Sequence, residues 1–88
     1  MENLFFKEKP VRTMVYLYEN QNQENYTSSL RKVTGTTYAH ATKIVGELEK
    51  EGYLGRKEDG RKKIIHLTPE GEHLGKQLSE IVKEEMWS

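Results

Sequence analysis

Residues 52–70 read GYLGRKEDGRKKIIHLTPE, and this stretch decides the fold. Asp-Gly between two extended runs is the strongest short-range signal for a β-hairpin, because a type I′ turn needs positive φ at both central residues. Residues 53–57 and 61–67 are therefore predicted to pair across a turn at residues 58–60. Thr68-Pro69-Glu70 then predicts a helix start, with a capping threonine, a proline at the first helical position and an acid near the positive end of the helix dipole.

A short helix is predicted over residues 28–34, upstream of the hairpin. Thr27 is placed to cap it, because a threonine hydroxyl satisfies one of the free N–H groups of a first helical turn. Leu30 and Val33 are its expected buried residues. Gly35 is expected to end it, since glycine most readily adopts the left-handed conformation that terminates helices.

The next helix is predicted over residues 37–51, after a turn of one or two residues. Thr36 or Thr37 caps it, and Gly52 follows its end. Two helices joined by a tight glycine-containing turn are typical of a helix-turn-helix. Gly46, in the middle of the helix, costs about 1 kcal/mol relative to alanine, and we expect it to mark a close approach by another backbone. The residues expected to face the core are Ala41, Ile44, Val45 and Leu48.

Helices are also predicted at both ends of this unit. Pro10 suits the first turn of the first helix, whose apolar face carries Val11, Met14, Val15 and Tyr18. A polar loop over residues 19–25 follows, and Tyr26 is expected in a very short strand. The apolar stripe of the last helix consists of Leu74, Leu78, Ile81, Val82 and Met86, with Trp87 near its end. This order predicts an α+β fold, mostly α: a winged helix-turn-helix.

The composition limits the chain to one domain, residues 1–88. With 88 residues and 34% hydrophobic content, the chain is too short for a two-domain enzyme, and its core is lean enough that a partner subunit would help to stabilise it. The absence of cysteine excludes disulfides, thiolate metal sites and a cysteine nucleophile. No apolar run approaches the roughly 18–20 residues that cross a bilayer, and residues 1–7 lack the features of a signal peptide. We therefore expect a cytoplasmic protein with no membrane partner.

The charge is balanced in total and unbalanced along the chain. The 14 basic and 14 acidic residues give a net charge of zero, which by itself argues against a nucleic-acid partner. Residues 1–30 carry three basic and four acidic side chains, residues 31–66 carry nine and five, and residues 67–88 carry two and five. The middle of the chain, with a net charge of +4, is therefore flanked by acidic ends.

The hairpin region resembles the wing of the MarR family of transcriptional regulators. Asp59-Gly60-Arg61, then after five residues Leu67-Thr68, then after two more Gly71, is similar to the family's wing signature. Residues 48–54, LEKEGYL, resemble the end of its recognition helix and the entry into its wing. The resemblance covers roughly residues 10–74. Its helix-turn-helix part is shared with other winged-helix groups such as PadR and ArsR.

The resemblance implies that helix 37–51 enters the major groove of double-stranded DNA and that the hairpin tip, residues 56–63, reaches the neighbouring minor groove. It makes Arg61 the wing arginine, steadied by Asp59. A narrow minor groove attracts an inserted arginine, and the N–H groups at a helix start suit phosphate oxygens. The DNA-binding residues predicted in this way are Thr36, Thr37, Tyr38, Ala39, His40, Thr42, Lys43, Arg56, Lys57, Arg61, Lys62 and Lys63.

A homodimer is expected, because the apolar stripe of the last helix extends past the length that a three-helix core needs. MarR-type chains are usually much longer, with extra helices that dimerise and border a ligand pocket. Here dimerisation would use the two ends of the chain, with residues 69–87 as a dimerising helix, and a small-molecule effector is doubtful. The predicted dimer residues are Leu4, Phe5, Phe6, Leu78, Ile81, Val82, Met86 and Trp87. Such a dimer would place two recognition helices on a pseudo-palindromic site, about 34 Å apart.

Other interpretations stay open beside this one. A winged helix can also serve as a protein–protein interaction module of a larger assembly, although such a module needs no basic wing. The basic hairpin tip could be only a solvated edge, and His40 only an exposed helix residue. His66 and His73 are expected to pack at the surface. The chain lacks a catalytic constellation, a phosphate-cradling loop and clustered metal ligands, so we expect no enzyme activity, no cofactor and no metal.

Overall fold

Helices and a single β-hairpin alternate along residues 8–35 and 37–85, the parts of the chain that the computed structural model describes. The order within these residues is α1 (Glu8–Glu19), α2 (Thr27–Thr34), α3 (Tyr38–Lys50), β1 (Leu54–Asp59), β2 (Lys62–Leu67) and α4 (Pro69–Glu85). This confirms the predicted winged helix-turn-helix, with β1, β2 and the loop between them forming the wing. No helix in this part of the chain combines the length and the apolar character that crossing a membrane requires.

α1 supplies one side of the core. Pro10 lies in its first turn, as predicted, and is buried. Met14, Val15 and Leu17 point inward from the following turns and are almost fully buried. The helix ends at Glu19, and the carbonyl oxygen of Tyr16 then accepts two hydrogen bonds from Asn20, from its backbone N–H at 3.0 Å and from its side-chain amide at 2.8 Å.

α2 begins one residue earlier than predicted. Thr27 is its first residue and not its cap; Tyr26 occupies the N-cap in extended conformation, and its backbone N–H donates to the hydroxyl of Ser29 at 3.4 Å. Gly35 ends the helix with a φ of 63°, as predicted. Leu30 is buried, whereas Val33 is only half-buried and the expectation of full burial was wrong.

The short strand predicted at Tyr26 is a single bridge at the neighbouring residue. Asn25 pairs with Ile65 of β2, whose N–H donates to the carbonyl oxygen of Asn25 at 2.8 Å. The side-chain amide of Asn25 donates to the carbonyl oxygens of Asn20 and Gln23, at 3.1 and 3.3 Å. These contacts attach the base of the wing to the loop between α1 and α2.

The wing is an antiparallel pair in which Leu54 lies opposite Leu67 and Asp59 opposite Lys62. The predicted type I′ turn with Asp59-Gly60 at its centre was wrong by one residue. Asp59 still belongs to β1, so the loop consists of Gly60 and Arg61, and only Gly60 has a positive φ, 66°. Glycine at the first of two loop residues is the arrangement of a type II′ turn.

α4 starts with the predicted cap and packs along α1. The hydroxyl of Thr68 accepts a hydrogen bond from the N–H of Gly71 at 3.1 Å and donates one to the carbonyl oxygen of Gly52 at 2.6 Å. Further along, the hydroxyl of Ser79 donates to the carboxylate of Glu19 at 3.0 Å. The core that these elements enclose is formed by Met14, Leu17, Leu30, Ile44, Val45, Leu48, Leu54 and Ile65.

Candidate nucleic-acid interface

The start of α3 is fixed by its cap. Thr37 is the N-cap, and its hydroxyl accepts a hydrogen bond from the N–H of His40 at 3.1 Å. Of the two capping threonines left open by the sequence, this identifies Thr37; Thr36 lies outside the described residues. Since the remaining N–H groups of the first turn have no partner within the helix, they are available to an anion.

α3 turns its predicted reading residues to solvent. Its core side holds Ala41, Ile44, Val45 and Leu48, as expected from their spacing. The hydroxyl of Thr42 donates to the carbonyl oxygen of Tyr38 at 2.9 Å, which leaves its methyl group and its acceptor lone pairs available to a partner. Tyr38 is 54% exposed, unusually high for a large aromatic side chain. The exposed residues of this face that the sequence singled out are Tyr38, Ala39, His40, Thr42 and Lys43.

The cations of the wing are all exposed. Because Asp59 and Lys62 are opposite each other at the end of the ladder, Arg61 lies in the loop itself. No ion pair joins Asp59 to Arg61 among the salt bridges of the described residues, so the expected steadying contact was wrong. Within the described residues, Arg61 is an exposed cation in the loop of the hairpin.

A concave surface of about 370 Å³ joins α3 to the wing. We call it the basic cleft. It collects six of the predicted DNA-binding residues from two separate elements, and four of them are cations. Its residues are Tyr26, Thr27, Ser28, Tyr38, Thr42, Arg56, Arg61, Lys62, Lys63 and Ile65.

The sequence did not indicate that residues at the start of α2 line this cleft. Tyr26, Thr27 and Ser28 line it because the Asn25–Ile65 bridge draws the start of α2 against β2. The hydroxyl groups and the exposed position of Ser28 are typical of a phosphate contact at a helix start. A bridge between residues 40 positions apart leaves no local pattern, so spacing along the chain gave no signal for it.

Other predicted contacts lie away from the cleft. His40 and Lys43 border a second groove of about 370 Å³ between α3 and the start of α1, which also contains Glu8, Lys9, Pro10, Ile44 and Glu47. Lys57 is exposed on β1 and does not line the cleft. The predicted contacts therefore spread over the cleft and over the adjoining outer surface of α3.

Two carboxylates hold cations of the cleft. The Nε of Arg56 lies 3.1 Å from both carboxylate oxygens of Glu49, in the last turns of α3. The Nζ of Lys62 lies 3.9 Å from Glu24, which also accepts a hydrogen bond of 2.6 Å from the hydroxyl of Tyr26. That hydrogen bond raises the pKa of the Tyr26 phenol above its ordinary value. Both pairs link the wing to another element.

The predicted dimer residues that the structure describes differ in their exposure to solvent. Val82 is only 4% exposed in the single chain, so its side chain belongs to the chain's own core and the expected dimer contact was wrong for it. Leu78 is half-buried against the core, whereas Ile81 is 55% exposed. Leu4, Phe5, Phe6, Met86 and Trp87 lie outside the described residues.

The fold and the basic cleft together define the winged helix-turn-helix class. No protein-family model matches the sequence, and no curated protein matches it. Solved structures do match in fold. The chain is similar to MepR, a transcription regulator of the Staphylococcus aureus multidrug efflux pump MepA, with a TM-score of 0.80 and 25% identity over 89% of this chain. The chain spans 58% of the length of that protein.

Two further proteins share the fold. The MarR family transcriptional regulator SPO1453 from Silicibacter pomeroyi has a TM-score of 0.77 and 22% identity over 86% of this chain and 54% of its own. AF1382 from Archaeoglobus fulgidus has a TM-score of 0.83 and 22% identity over 97% of this chain and 96% of its own. A MepR–DNA complex matches with a TM-score of 0.77 and 23% identity, over 92% of this chain and 68% of MepR. The chain thus has the fold of MarR family regulators.

Proposed function

We propose that the protein is a transcriptional regulator that binds double-stranded DNA through α3 and the wing. The basic cleft is the observation that carries the proposal. Side chains from the outer side of α3 line this cleft together with four cations of the wing, Arg56, Arg61, Lys62 and Lys63. A helix in the major groove and a basic hairpin beside it require this arrangement.

The roles within the site follow from chemistry and position. Tyr38, Thr42 and Lys43 would contact base edges or the adjacent phosphates from α3. Arg61, at the turn of the hairpin, would enter the minor groove, and Lys62 and Lys63 would neutralise phosphates. The four-residue spacing of Tyr38 and Thr42 places both on one face of α3. MepR, whose fold is similar, is known in a complex with DNA, and this supports DNA binding by the present protein.

The charge distribution supports a binder that depends strongly on salt. The net charge of zero gives no general attraction to DNA. Affinity would then come from the few cations that the fold concentrates in the cleft, each releasing a counterion from the duplex on binding. α4 carries Glu70, Glu72 and Glu80 on its exposed surface, and their charges would keep the rest of the molecule away from phosphates.

The first test is duplex binding by a wing variant. Arg61, Lys62 and Lys63 are changed together to alanine, and binding to a random pool of duplexes of about 30 base pairs, enough for two half-sites, is measured at two salt concentrations. We expect the slope of log K against log salt to become shallower by about 2 to 3, since each lost phosphate contact removes about 0.9.

A matched control separates the site from the net charge. Arg12, Lys32 and Lys76 are cations outside the predicted site, and changing all three to alanine alters the net charge by the same amount. We expect near wild-type binding from this control. Absence of binding by the wild-type protein at low salt, or equal losses in both triple variants, would contradict the proposal and would favour a protein-interaction module.

We further propose that the regulator acts as a homodimer, with α4 as the dimerising helix of a single winged-helix domain that covers residues 1–88. Ile81 gives this proposal its position, because it is the large apolar side chain of the described part of α4 that is exposed, at 55%, and a twofold contact between two copies would bury it. A pseudo-palindromic site would follow from the twofold symmetry of the dimer.

A further inference from the structure

Gly46 follows the predicted contacts Thr42 and Lys43 on α3, and the described part of the protein does not explain why this residue is a glycine. It lies in the interior of α3, where glycine costs about 1 kcal/mol relative to alanine because it exposes the backbone and loses more conformational freedom on folding. A helix that must hold a fixed orientation would ordinarily avoid this cost. A reason for glycine has to be found either within the fold or outside it.

The fold gives no such reason. Gly46 does not have the positive φ that would favour glycine, unlike Gly35, Gly52 and Gly60. A Cβ placed on Gly46 would meet no atom within 4 Å among the described residues. The close approach by another backbone that the sequence predicted is therefore absent from the described part of the chain, and that expectation was wrong for contacts within the molecule.

Two other helical glycines are explained by close contacts within the fold. A Cβ on Gly71 would overlap the carbonyl oxygen of Tyr53, and a Cβ on Gly75 would lie 2.9 Å from the Cβ of Tyr18. Both of these glycines are buried in α4, where they let the helix pack closely against its neighbours. Gly46 also lies inside a helix, but no described residue packs against the position of its missing Cβ.

Gly46 lies on the outer face of α3. Thr42 and Lys43 precede it by four and three residues, Lys50 follows it by four, and all three are exposed. The buried residues Ile44, Val45 and Leu48 occupy the other side of the helix. A partner that contacts Thr42 and Lys43 therefore passes directly over Gly46.

We propose that Gly46 is a close-contact position for the DNA duplex, resting on the proposed function of α3 as the recognition helix. The missing side chain lets the backbone of α3 come against the surface of the major groove, so that Thr42 and Lys43 reach the base edges. A methyl group at residue 46 would fill this space and hold the helix away from the duplex. Gly46 is thus a positioning residue, which lowers the stability of the free protein and raises its affinity for DNA.

The test is a size series at this position, Gly46→Ala and Gly46→Leu. Melting temperature is measured on each free protein, and affinity is measured for a duplex that the wild-type protein selects from a random pool. We expect both variants to melt at higher temperature, since alanine and leucine are strong helix formers. We expect affinity to fall by about tenfold with alanine, a loss of about 1.4 kcal/mol, and further with leucine, because extra atoms in a closely packed contact force the two surfaces apart.

Two controls make the result specific. His73→Ala replaces an exposed residue inside α4 with the best helix former, so it raises stability without touching α3, and we expect unchanged affinity. The salt dependence of the Gly46 variants should equal that of the wild type, because no charge is lost. A slope that becomes as shallow as in the variant with Arg61, Lys62 and Lys63 changed to alanine would indicate lost contacts of the wing with phosphates and would overturn the steric explanation.

The outcomes distinguish this inference from the proposed function. Unchanged affinity in both Gly46 variants, with a wild-type protein that binds DNA, overturns the inference and leaves the proposed function standing. A lower melting temperature for Gly46→Ala also overturns it, because the space beside Gly46 would then be filled by the protein. Absence of DNA binding by the wild type overturns the proposed function, and the inference with it.

Discussion

Gly71 has no side chain, and this lets the first turn of α4 pack against the backbone between α3 and β1. The residue lies in the first turn of α4, and the space where its Cβ would be is taken by the carbonyl oxygen of Tyr53, just before β1. The N–H of Thr68 donates to the same carbonyl at 3.1 Å, and the hydroxyl of Thr68 bonds to Gly52. The Leu67-Thr68 and Gly71 part of the wing signature therefore encodes the contact between the wing and α4.

Replacing Gly71 with alanine should destabilise the protein. The backbone of Tyr53 cannot rotate away as a side chain would, so α4 must shift from the end of α3. We expect the free energy of unfolding to fall by about 2–3 kcal/mol, measured by urea denaturation. Gly46→Ala is the matched control, since the same methyl group is added inside a helix with open space around it, and the sign should be opposite. Equal effects of the two substitutions would contradict the packing described for α4.

At the scale of elements, a side-chain contact links α3 to the wing. Arg56 of β1 donates its Nε–H to Glu49 of α3, across seven residues of sequence that include the end of the helix. Both side chains are about one-third exposed, at 35% and 37%, so the pair adds little to stability. We expect its effect to appear in DNA binding, because Arg56 lines the basic cleft and, in the proposed mode, the wing would meet the minor groove while α3 occupies the major groove.

We therefore expect Glu49→Gln to weaken DNA binding by about two- to fivefold, the range of an exposed ion pair, although it removes a negative charge. Arg56→Lys should have a similar effect, and the double variant should lose little more than either single one, because both break the same contact. Affinity for a selected duplex gives the measurement. Glu51→Gln is the charge control, an exposed acid two residues further on, and should bind slightly more tightly. Additive effects of the two single variants would show that Arg56 acts without Glu49.

The elements themselves were predictable because their signals are local. Thr37 and Thr68 cap their helices through bonds to residues three positions ahead, and Gly35 ends α2 by its own φ. Asp59-Gly60 correctly indicated a hairpin, since glycine has to adopt positive φ there. The turn type was wrong because the ladder extends to the pair of Asp59 and Lys62, and no local rule states where a ladder closes.

The sequence predicted many of the residues of the candidate site, but it did not predict how the fold brings them together. Exposure of Tyr38 and Thr42 followed from helical spacing. The contribution of Tyr26 and Ser28 to the basic cleft depends on the bridge between Asn25 and Ile65, which is a tertiary contact. The engagement of Arg56 by Glu49 likewise depends on how β1 leaves α3. Contacts of this kind arise from the fold, and sequence spacing carries no information about them.

At the scale of the whole molecule, α4 has two unequal sides. One side packs on α1 through Gly75 and through the bond from Ser79 to Glu19, and it buries Val82. The other side is mostly charged but exposes Ile81 at 55%. Full burial of an exposed side chain of this size gains about 1.5–3 kcal/mol, and Ile81 would gain part of this in a twofold contact between two copies of α4. That contact would also place two copies of α3 on one duplex.

Replacing Ile81 with glutamate should dissociate the dimer. The carboxylates of two copies would meet at the twofold axis in a desolvated contact, where like charges repel. Sedimentation at micromolar concentration should give twice the chain mass of 10.3 kDa for the wild type and the single mass for the variant. Gln21→Glu, which adds the same charge in the exposed loop after α1, should stay dimeric. Affinity for a duplex with two half-sites should fall by at least about tenfold in Ile81→Glu through lost avidity, whereas affinity for a single half-site should not change. A wild-type protein that sediments as a single chain would contradict the dimer.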